Sequence, residues 1–268
     1  MLAIERTQYI IKTLQENKVA SVSELSREIQ VTEETIRRDL EKLEKQGLIS
    51  RVHGGAYLRE GYGNETPTEV REKIYQKEKE QIAKMSLTFI NDYDSVLLDC
   101  STTASYIAKE IKSSEKKISV VTNSLLVAKE LEDATHVRLI LLGGEYKDST
   151  KSFCGAVTVE ALNHYYVDKV FISSAGISVE TGMTDYTLEE ATIRSKMMKQ
   201  AKTCFYVADI TKIGRNAIYR IGELDDVDYL IVNESIDKKS PELKEFLLDK
   251  RKEIIIIAVS YTHLTLPT

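Results

Sequence analysis

Cysteine is scarce: the 268 residues hold three, Cys100, Cys154 and Cys204. An odd, widely spaced set does not make a disulfide framework, and it lacks the close spacing of a zinc site. No apolar run approaches the roughly 18 residues that a membrane-crossing helix needs. No secretory leader pattern opens the chain, so a cytoplasmic protein with no membrane partner is expected. Positive charge is not in excess either. The 37 Lys and Arg stand against 42 Asp and Glu, for a net charge of -5. That balance argues against a general polycation and confines any nucleic-acid contact to a local surface. What remains is an ordinary globular composition, 42% hydrophobic and 29% charged, with length for one small and one larger domain.

The stretch Val31–Leu40 reads as a helix built to touch something other than its own core. Thr32 is an N-cap residue, and Glu33 and Glu34 fall in the first turn, where the helix dipole favours negative charge. Ile36, Leu40 and Leu43 recur at i, i+4, i+7 and define a buried stripe. Thr35, Arg37 and Arg38 are left on the other side, and adjacent guanidinium groups near a helix N-terminus suit guanine edges or phosphates in a major groove. Upstream, an amphipathic helix over about 5–16 turns Ile10, Ile11 and Leu14 inward, and Ser23 is expected to cap a second helix carrying Leu25 and Ile29. Gln30-Val31-Thr32 is the tight turn of a helix-turn-helix. Downstream, Gly47 stops the third helix, residues 48–52 alternate like a strand, and His53-Gly54-Gly55 turns that strand back into Ala56-Tyr57-Leu58 as a wing.

Thr35-Ile36-Arg37-Arg38-Asp39-Leu40, then Gly47-Leu48-Ile49 and Arg51-Val52-His53-Gly54-Gly55-Ala56, resembles the N-terminal signature of the DeoR family of bacterial repressors. The resemblance implies a double-stranded operator as partner, with Thr35, Arg37 and Arg38 in the major groove. It places Arg51 and His53 of the wing at the backbone or minor groove. With the capping Thr32, these are the residues expected to face DNA. Through Leu58 nine basic residues meet nine acidic ones, so modest affinity per monomer and reliance on a homo-oligomer are expected.

Residues 59–78 break the periodicity and read as a linker between domains 1–58 and 79–259. From Ser95 apolar runs and helical patterns alternate: strands at 96–98, 118–121, 137–142, 169–172, 204–207, 229–232 and 254–258, with helices through Ile107 and Ile111, through Leu131, over about 188–201 and near 241–248. Strand then helix, repeated, predicts a largely parallel α/β sheet covered on both faces, with ligands beyond the carboxyl ends of the strands. Those ends carry the informative residues. Asp99-Cys100-Ser101-Thr102-Thr103 leads straight into a helix, so hydroxyls and free N–H groups converge where an anion binds. Capping by Ser101 or Thr102 alone is an equal reading of that end taken singly. Thr122-Asn123-Ser124, Gly143-Gly144-Glu145 and Asp209-Ile210-Thr211-Lys212 close other strands, with glycines that permit close backbone approach and a lysine that suits phosphate.

Together these ends resemble the DeoR effector domain, which is similar in fold to ribose-phosphate isomerases and binds phosphorylated sugars. By that likeness Ser101, Thr102 and Thr103 hold the phosphate, Thr122, Asn123 and Gly144 line the sugar, and Lys212 closes the site. Asp99, Gly143 and Gly155 belong to the same expected set. Phe153-Cys154-Gly155, the run from Phe171 to Gly176, and Gly182 also match the family pattern. Ala175 departs from it, standing where the family often has an acid. The alternative is a sugar-phosphate isomerase with an added DNA-binding domain, for which Asp99, Asp185, Asp209 and Glu145 are candidate proton shuttles. None lies in a motif resembling the isomerases' catalytic loops, so no catalytic residue, cofactor or metal is expected. Residues 260–268 resemble no family ending and read as a non-native tail.

Overall fold

The computed structural model describes residues 2–17, 19–52, 55–58, 68–73, 75–237, 239–249 and 253–256. The chain divides into two units, Met1–Ile74 and Tyr75–Thr268. No helix among the described residues is long and apolar enough to cross a membrane.

In the first unit, α1 (Ala3–Asn17) buries Ile10, Ile11 and Leu14. A short strand, β1 (Val19–Ser21), leads into α2 (Val22–Ile29). Ser21, not Ser23, caps α2: the Glu24 N–H donates to Ser21 Oγ at 3.1 Å and the Ser21 N–H donates back to Glu24 Oε2 at 3.2 Å. The reason is spacing, because only Ser21 has a glutamate three residues on to complete a capping box. Gln30 takes a left-handed conformation at φ 60°, and Thr32 caps α3 (Glu33–Lys45) by accepting the Thr35 N–H at 3.3 Å. Gly47, at φ +73°, releases the chain from α3. The next two strands, β2 (Ile49–Val52) and β3 (Gly55–Leu58), pair antiparallel, and β1 adds to the far edge of β3. Three residues are too few to show alternation, so β1 left no period-2 signal. Gly55 is needed there, since a Cβ would sit 2.5 Å from the Ala20 carbonyl oxygen. Leu25, Ile36, Leu40, Leu43 and Ile49 close the core of this unit. The wing tip, His53 and Gly54, and residues 59–67 of the expected linker lie outside the described residues. Residues 68–73 form a helix, α4 (Thr68–Lys73).

The second unit opens with α5 (Gln76–Thr88), then β4 (Ser95–Leu98), α6 (Thr102–Ser114), β5 (Ile118–Thr122), α7 (Leu125–Leu131) and β6 (Val137–Leu141). A small hairpin of β7 (Glu145–Lys147) and β8 (Ser152–Cys154) precedes α8 (Ala156–Leu162) and β9 (Val167–Ile172). Then come β10 (Gly176–Ser178), β11 (Gly182–Asp185), α9 (Leu188–Lys199), β12 (Ala201–Ala208), β13 (Tyr219–Gly222) and β14 (Tyr229–Val232). The last elements are α10 (Pro241–Asp249) and β15 (Glu253–Ile256).

Seven strands form a parallel sheet in the order β15-β14-β12-β9-β4-β5-β6. Strand residues alternate between two apolar layers. Val96, Leu98, Val120, Phe171 and Phe205 pack with α5, α6 and α7, while Leu97, Val121, Ile172, Tyr206 and Leu230 pack with α8, α9 and α10. Burial on both faces explains why the strands read as unbroken apolar runs. Phe171, Phe205 and Tyr229 stack across three neighbouring strands, with centroids 4.7 Å apart at each step. The antiparallel sheet β10-β11-β13, the β7-β8 hairpin and α8 were not expected from the sequence. Each is at most seven residues long, too short for periodicity to stand out.

Candidate nucleic-acid interface and effector crevice

On α3 the apolar stripe and the polar face separate as the spacing requires. Ile36, Asp39, Leu40 and Leu43 are buried, whereas Arg37 and Arg38 project into solvent. Thr32 and Thr35, at the start of the helix, join their hydroxyls at 2.9 Å. Each arginine carries a glutamate: Arg37 Nη2 lies 2.6 Å from Glu33 Oε2, and Arg38 Nε lies 3.3 Å from Glu34 Oε1. Arg51 on β2 lies 2.7 Å from Glu44 Oε2. His53 falls outside the described residues.

One residue of the signature works inward. Asp39 is buried and accepts from Arg6 Nε at 2.7 Å, tying α3 to α1. Its place between Leu40 and the exposed arginines put it on the edge of the stripe, but Arg6 is 33 residues away and no local pattern links them.

In the second unit the strand order reverses direction at β4. From there the chain runs outward through β5 and β6 on one side and through β9, β12, β14 and β15 on the other. A crevice between the carboxyl ends of β4 and β9 is where ligands bind in open parallel sheets. Ser101, Thr102 and Thr103 fall at this point. Ser101 caps α6 by accepting the Ala104 N–H at 3.1 Å, and the first N–H groups of the helix have no intrahelical acceptor. No hydrogen bond of the Thr102 or Thr103 hydroxyl occurs among the described residues. Ser173 and Ser174 end β9 beside them. They fall in the run from Phe171 to Gly176 but were not named as site residues, although a serine pair directly after an apolar strand is the same signal that drew attention to Ser101.

Two of the expected contact residues are fully buried. Asp99 is 0% exposed, and its oxygens are taken up within the chain: Oδ1 by the Ser101 N–H at 3.0 Å, Oδ2 by the Ser173 N–H at 3.0 Å and Arg194 Nε at 2.8 Å. It pins the two sides of the switch point together. Thr122 is also 0% exposed and accepts the Ser124 N–H at 3.0 Å, shaping the turn after β5. Asn123 differs. Its Nδ2 donates to the Phe153 carbonyl at 2.8 Å, while its Oδ1 is a buried acceptor with no donor among the described residues.

Gly143 is exposed with open space around it. Gly144 has an internal reason to be glycine, since a Cβ would meet Thr158 Oγ1 at 2.1 Å and the Cys154 carbonyl at 2.6 Å. Gly155 caps α8 at φ +87°. Lys212 is half-exposed in a single 3-10 turn, Ile210–Lys212, that follows β12 and is capped by Asp209.

No local pattern singles out Arg194. This guanidinium is buried on α9 and reaches Asp99 at 2.8 Å, Asp185 at 2.6 Å and Glu190 at 3.2 Å. Burial opposes its charge, but the carboxylates around it, Asp185 first, hold its pKa well above the ordinary arginine value. Asp185 is pushed up by burial, against the pull of Arg194 and of Lys212. Burial likewise raises the Cys100 thiol to about 12, so it is no nucleophile. Lys147 adds a second cation, 3.2 Å from Glu190. Asp99 and Asp185 are both engaged by this arginine, which gives them a structural task. Among the described residues no group of three or more His, Cys, Asp or Glu side chains is placed to hold a metal ion. An open groove lined by Tyr93, Lys117, His136 and Arg138 lies at the amino ends of β5 and β6, the opposite end of the sheet from the crevice.

Known proteins match this sequence over most of its length. Residues 6–60 match the model of the DeoR-like helix-turn-helix domain, and residues 74–234 match that of the DeoR C terminal sensor domain. An uncharacterized HTH-type transcriptional regulator of Bacillus subtilis (strain 168), YulB, is 35% identical over 97% of this chain and 99% of its own. The HTH-type transcriptional repressor GlcR of the same organism is 34% identical over 85% of this chain and 88% of its own. A putative aga operon transcriptional repressor of Escherichia coli O157:H7 is 30% identical over 89% of each chain. Among solved structures, ribose 5-phosphate isomerase A of Methanocaldococcus jannaschii is 15% identical, with a TM-score of 0.39 over 52% of this chain and 54% of that one. That likeness is too partial to bear on activity. With an N-terminal helix-turn-helix, a parallel-sheet sensor domain and relatives aligned nearly end to end, the chain belongs to the DeoR family of transcriptional regulators.

Proposed function

We propose that this regulator represses an operon of sugar metabolism and that a phosphorylated sugar modulates its hold on DNA. Thr35, Arg37 and Arg38 of α3 read the operator in the major groove, Thr32 supports them at the helix start, and Arg51 and His53 of the wing contact the backbone or minor groove. The effector's phosphate lies on the α6 N-terminus among Ser101, Thr102 and Thr103, with Lys212 as counter-charge. Asn123 offers its unfilled acceptor to a sugar hydroxyl, and Gly143 borders the sugar. The observation that carries this reading is the hydroxyl-lined helix N-terminus at the switch point of the sheet, where Thr102 and Thr103 have no partner among the described residues. Relatives named as the repressor GlcR and the aga operon repressor support repression, and one named as the lactose phosphotransferase system repressor supports the sugar assignment. The protein works in the cytoplasm as a homo-oligomer that presents two recognition helices to paired half-sites. It binds its ligand without turning it over; two of the four candidate proton shuttles, Asp99 and Asp185, are committed to Arg194.

The test has three arms. Thermal unfolding in the presence of phosphorylated hexoses and pentoses identifies the ligand, since one that binds only the folded state raises the melting temperature. Gel-shift titration with that ligand, on wild type and Lys212→Ala, then reads the coupling. The variant should bind DNA normally and lose the response; a response at the same ligand concentration would remove Lys212 from the site. Incubation followed by mass-resolved chromatography checks turnover, and isomer interconversion above the buffer control would place the chain with the isomerases.

A further inference from the structure

All three arginines assigned to DNA are already paired with a glutamate of the same domain: Arg37 with Glu33, Arg38 with Glu34, and Arg51 with Glu44. Pairs four residues apart are common on exposed helices, and Lys12–Glu16 on α1 is another. Two features set these apart. Glu44 is seven residues from Arg51 and holds it at two points, taking its backbone N–H at 3.0 Å and its Nε at 2.7 Å. Glu33 and Glu34 occupy the first turn of α3, the end of a recognition helix that enters the groove first.

We propose that Glu33, Glu34 and Glu44 are specificity-determining residues that suppress sequence-independent DNA binding. The inference rests on the placement of Arg37, Arg38 and Arg51 at the DNA surface. Non-specific affinity comes from cations that neutralise phosphates and release condensed counterions. An arginine neutralised by its own carboxylate releases fewer, and it carries a negative group toward the phosphates. Base readout loses less. A guanidinium has five N–H donors in a rigid fork, so one edge can keep the carboxylate while another meets guanine O6 and N7. The glutamates therefore weaken binding to random sequence more than binding to the operator, and the ratio between the two rises. These three glutamates are among the nine acidic residues that balance the nine basic ones in residues 1–58.

The experiment uses the full chain and two duplexes: one enriched from a random library by the wild-type protein, and a scrambled duplex of equal composition. Affinity is measured by fluorescence anisotropy across a salt series for wild type, E33Q/E34Q/E44Q, E44Q with its charge-matched control E16Q, and R37A/R38A. The triple variant should bind scrambled DNA about tenfold or more tightly at moderate salt, with a log K against log salt slope steeper by about 2–3. Its affinity for the selected duplex should rise less, so the specificity ratio falls. Unchanged slope and ratio, an equal rise on both duplexes, or the same shift in E16Q would overturn the proposal. Loss of binding to the selected duplex alone would also overturn it, because the glutamates would then be reading bases. If the triple variant melts early, E44Q, outside the first turn of α3, must show a slope change of about one or the proposal fails. The arginine variant separates the two levels: R37A/R38A without effect on either duplex, or no enriched duplex at all, removes the DNA-surface assignment itself.

Discussion

Arg194 Nε donates to Asp99 Oδ2 at 2.8 Å, joining α9 to the end of β4 across 95 residues of sequence. Asp99 in turn accepts from Ser101 and Ser173, so one buried guanidinium sets the spacing of both walls of the crevice. Replacing it by alanine leaves Asp99, Asp185 and Glu190 buried without their common counter-charge. Arg194→Ala is expected to cost about 3–5 kcal/mol of stability, read as a lower midpoint in urea unfolding. The deficit has a predictable pH dependence. Burial already raises the Asp185 carboxyl, and without Arg194 its main opponent is gone, so that group holds its proton more tightly in the folded state than in the unfolded chain and the variant regains stability as pH falls. Its deficit at about pH 5 should be smaller than at about pH 8; a deficit independent of pH would mean that lost packing, not charge, is responsible.

The Arg6–Asp39 pair holds α1 against the back of the recognition helix, and its two members are unequally buried, at 13% and 3% exposure. Arg6→Ala strands a carboxylate in the interior, whereas Asp39→Ala leaves an arginine that can reach water. The arginine variant should therefore lose more, on the order of 3 kcal/mol, with the aspartate variant well below it. Melting of the two single variants decides this, and the reverse ranking would mean that Asp39 is satisfied without Arg6.

Gly144→Ala places a Cβ against Thr158 Oγ1 and the Cys154 carbonyl, at a backbone φ of +150°. Overpacking of this kind costs about 1–3 kcal/mol, with backbone strain added. Thr158→Ala in the same chain should restore little, because the carbonyl contact at 2.6 Å remains. Full rescue in a thermal melt would show that the hydroxyl alone excludes the side chain.

Asp168 caps the entry to β4 by accepting both the Ser95 N–H at 2.9 Å and the Ser95 hydroxyl at 2.6 Å. The hydroxyl and then the backbone bond hold its carboxyl below the ordinary aspartate value. A depressed acid stabilises the fold above its unfolded pKa of about 4, and that contribution disappears as pH falls through the folded value. Asp168→Asn should be less stable than wild type at neutral pH and converge on it under acid conditions. Parallel stability curves for the two proteins down to about pH 2 would contradict this.

The amino-acid sequence by itself determined most of the local order. Thr32 as cap, Ile36, Leu40 and Leu43 as stripe and Gly47 as stop specify α3, because caps, periodicity and left-handed glycines act within a few residues of one another. The alternation of apolar runs and helices determined the parallel sheet, and the hydroxyls of Ser101, Thr102 and Thr103 marked a strand end that the fold brings to the switch point. Tertiary structure decided what depends on pairing between distant segments. Strand order placed β9 beside β4, which made Ser173 a neighbour of Ser101 and took Asp99 and Thr122 out of reach of solvent. β1 joined the wing only because β3 offered it an edge, and its three residues carry no pattern of their own. Arg194 reads in sequence as one more basic residue on a charged helix. Its function arises from three carboxylates that the fold delivers from β4, β11 and α9, a juxtaposition that side-chain periodicity, being local, cannot encode.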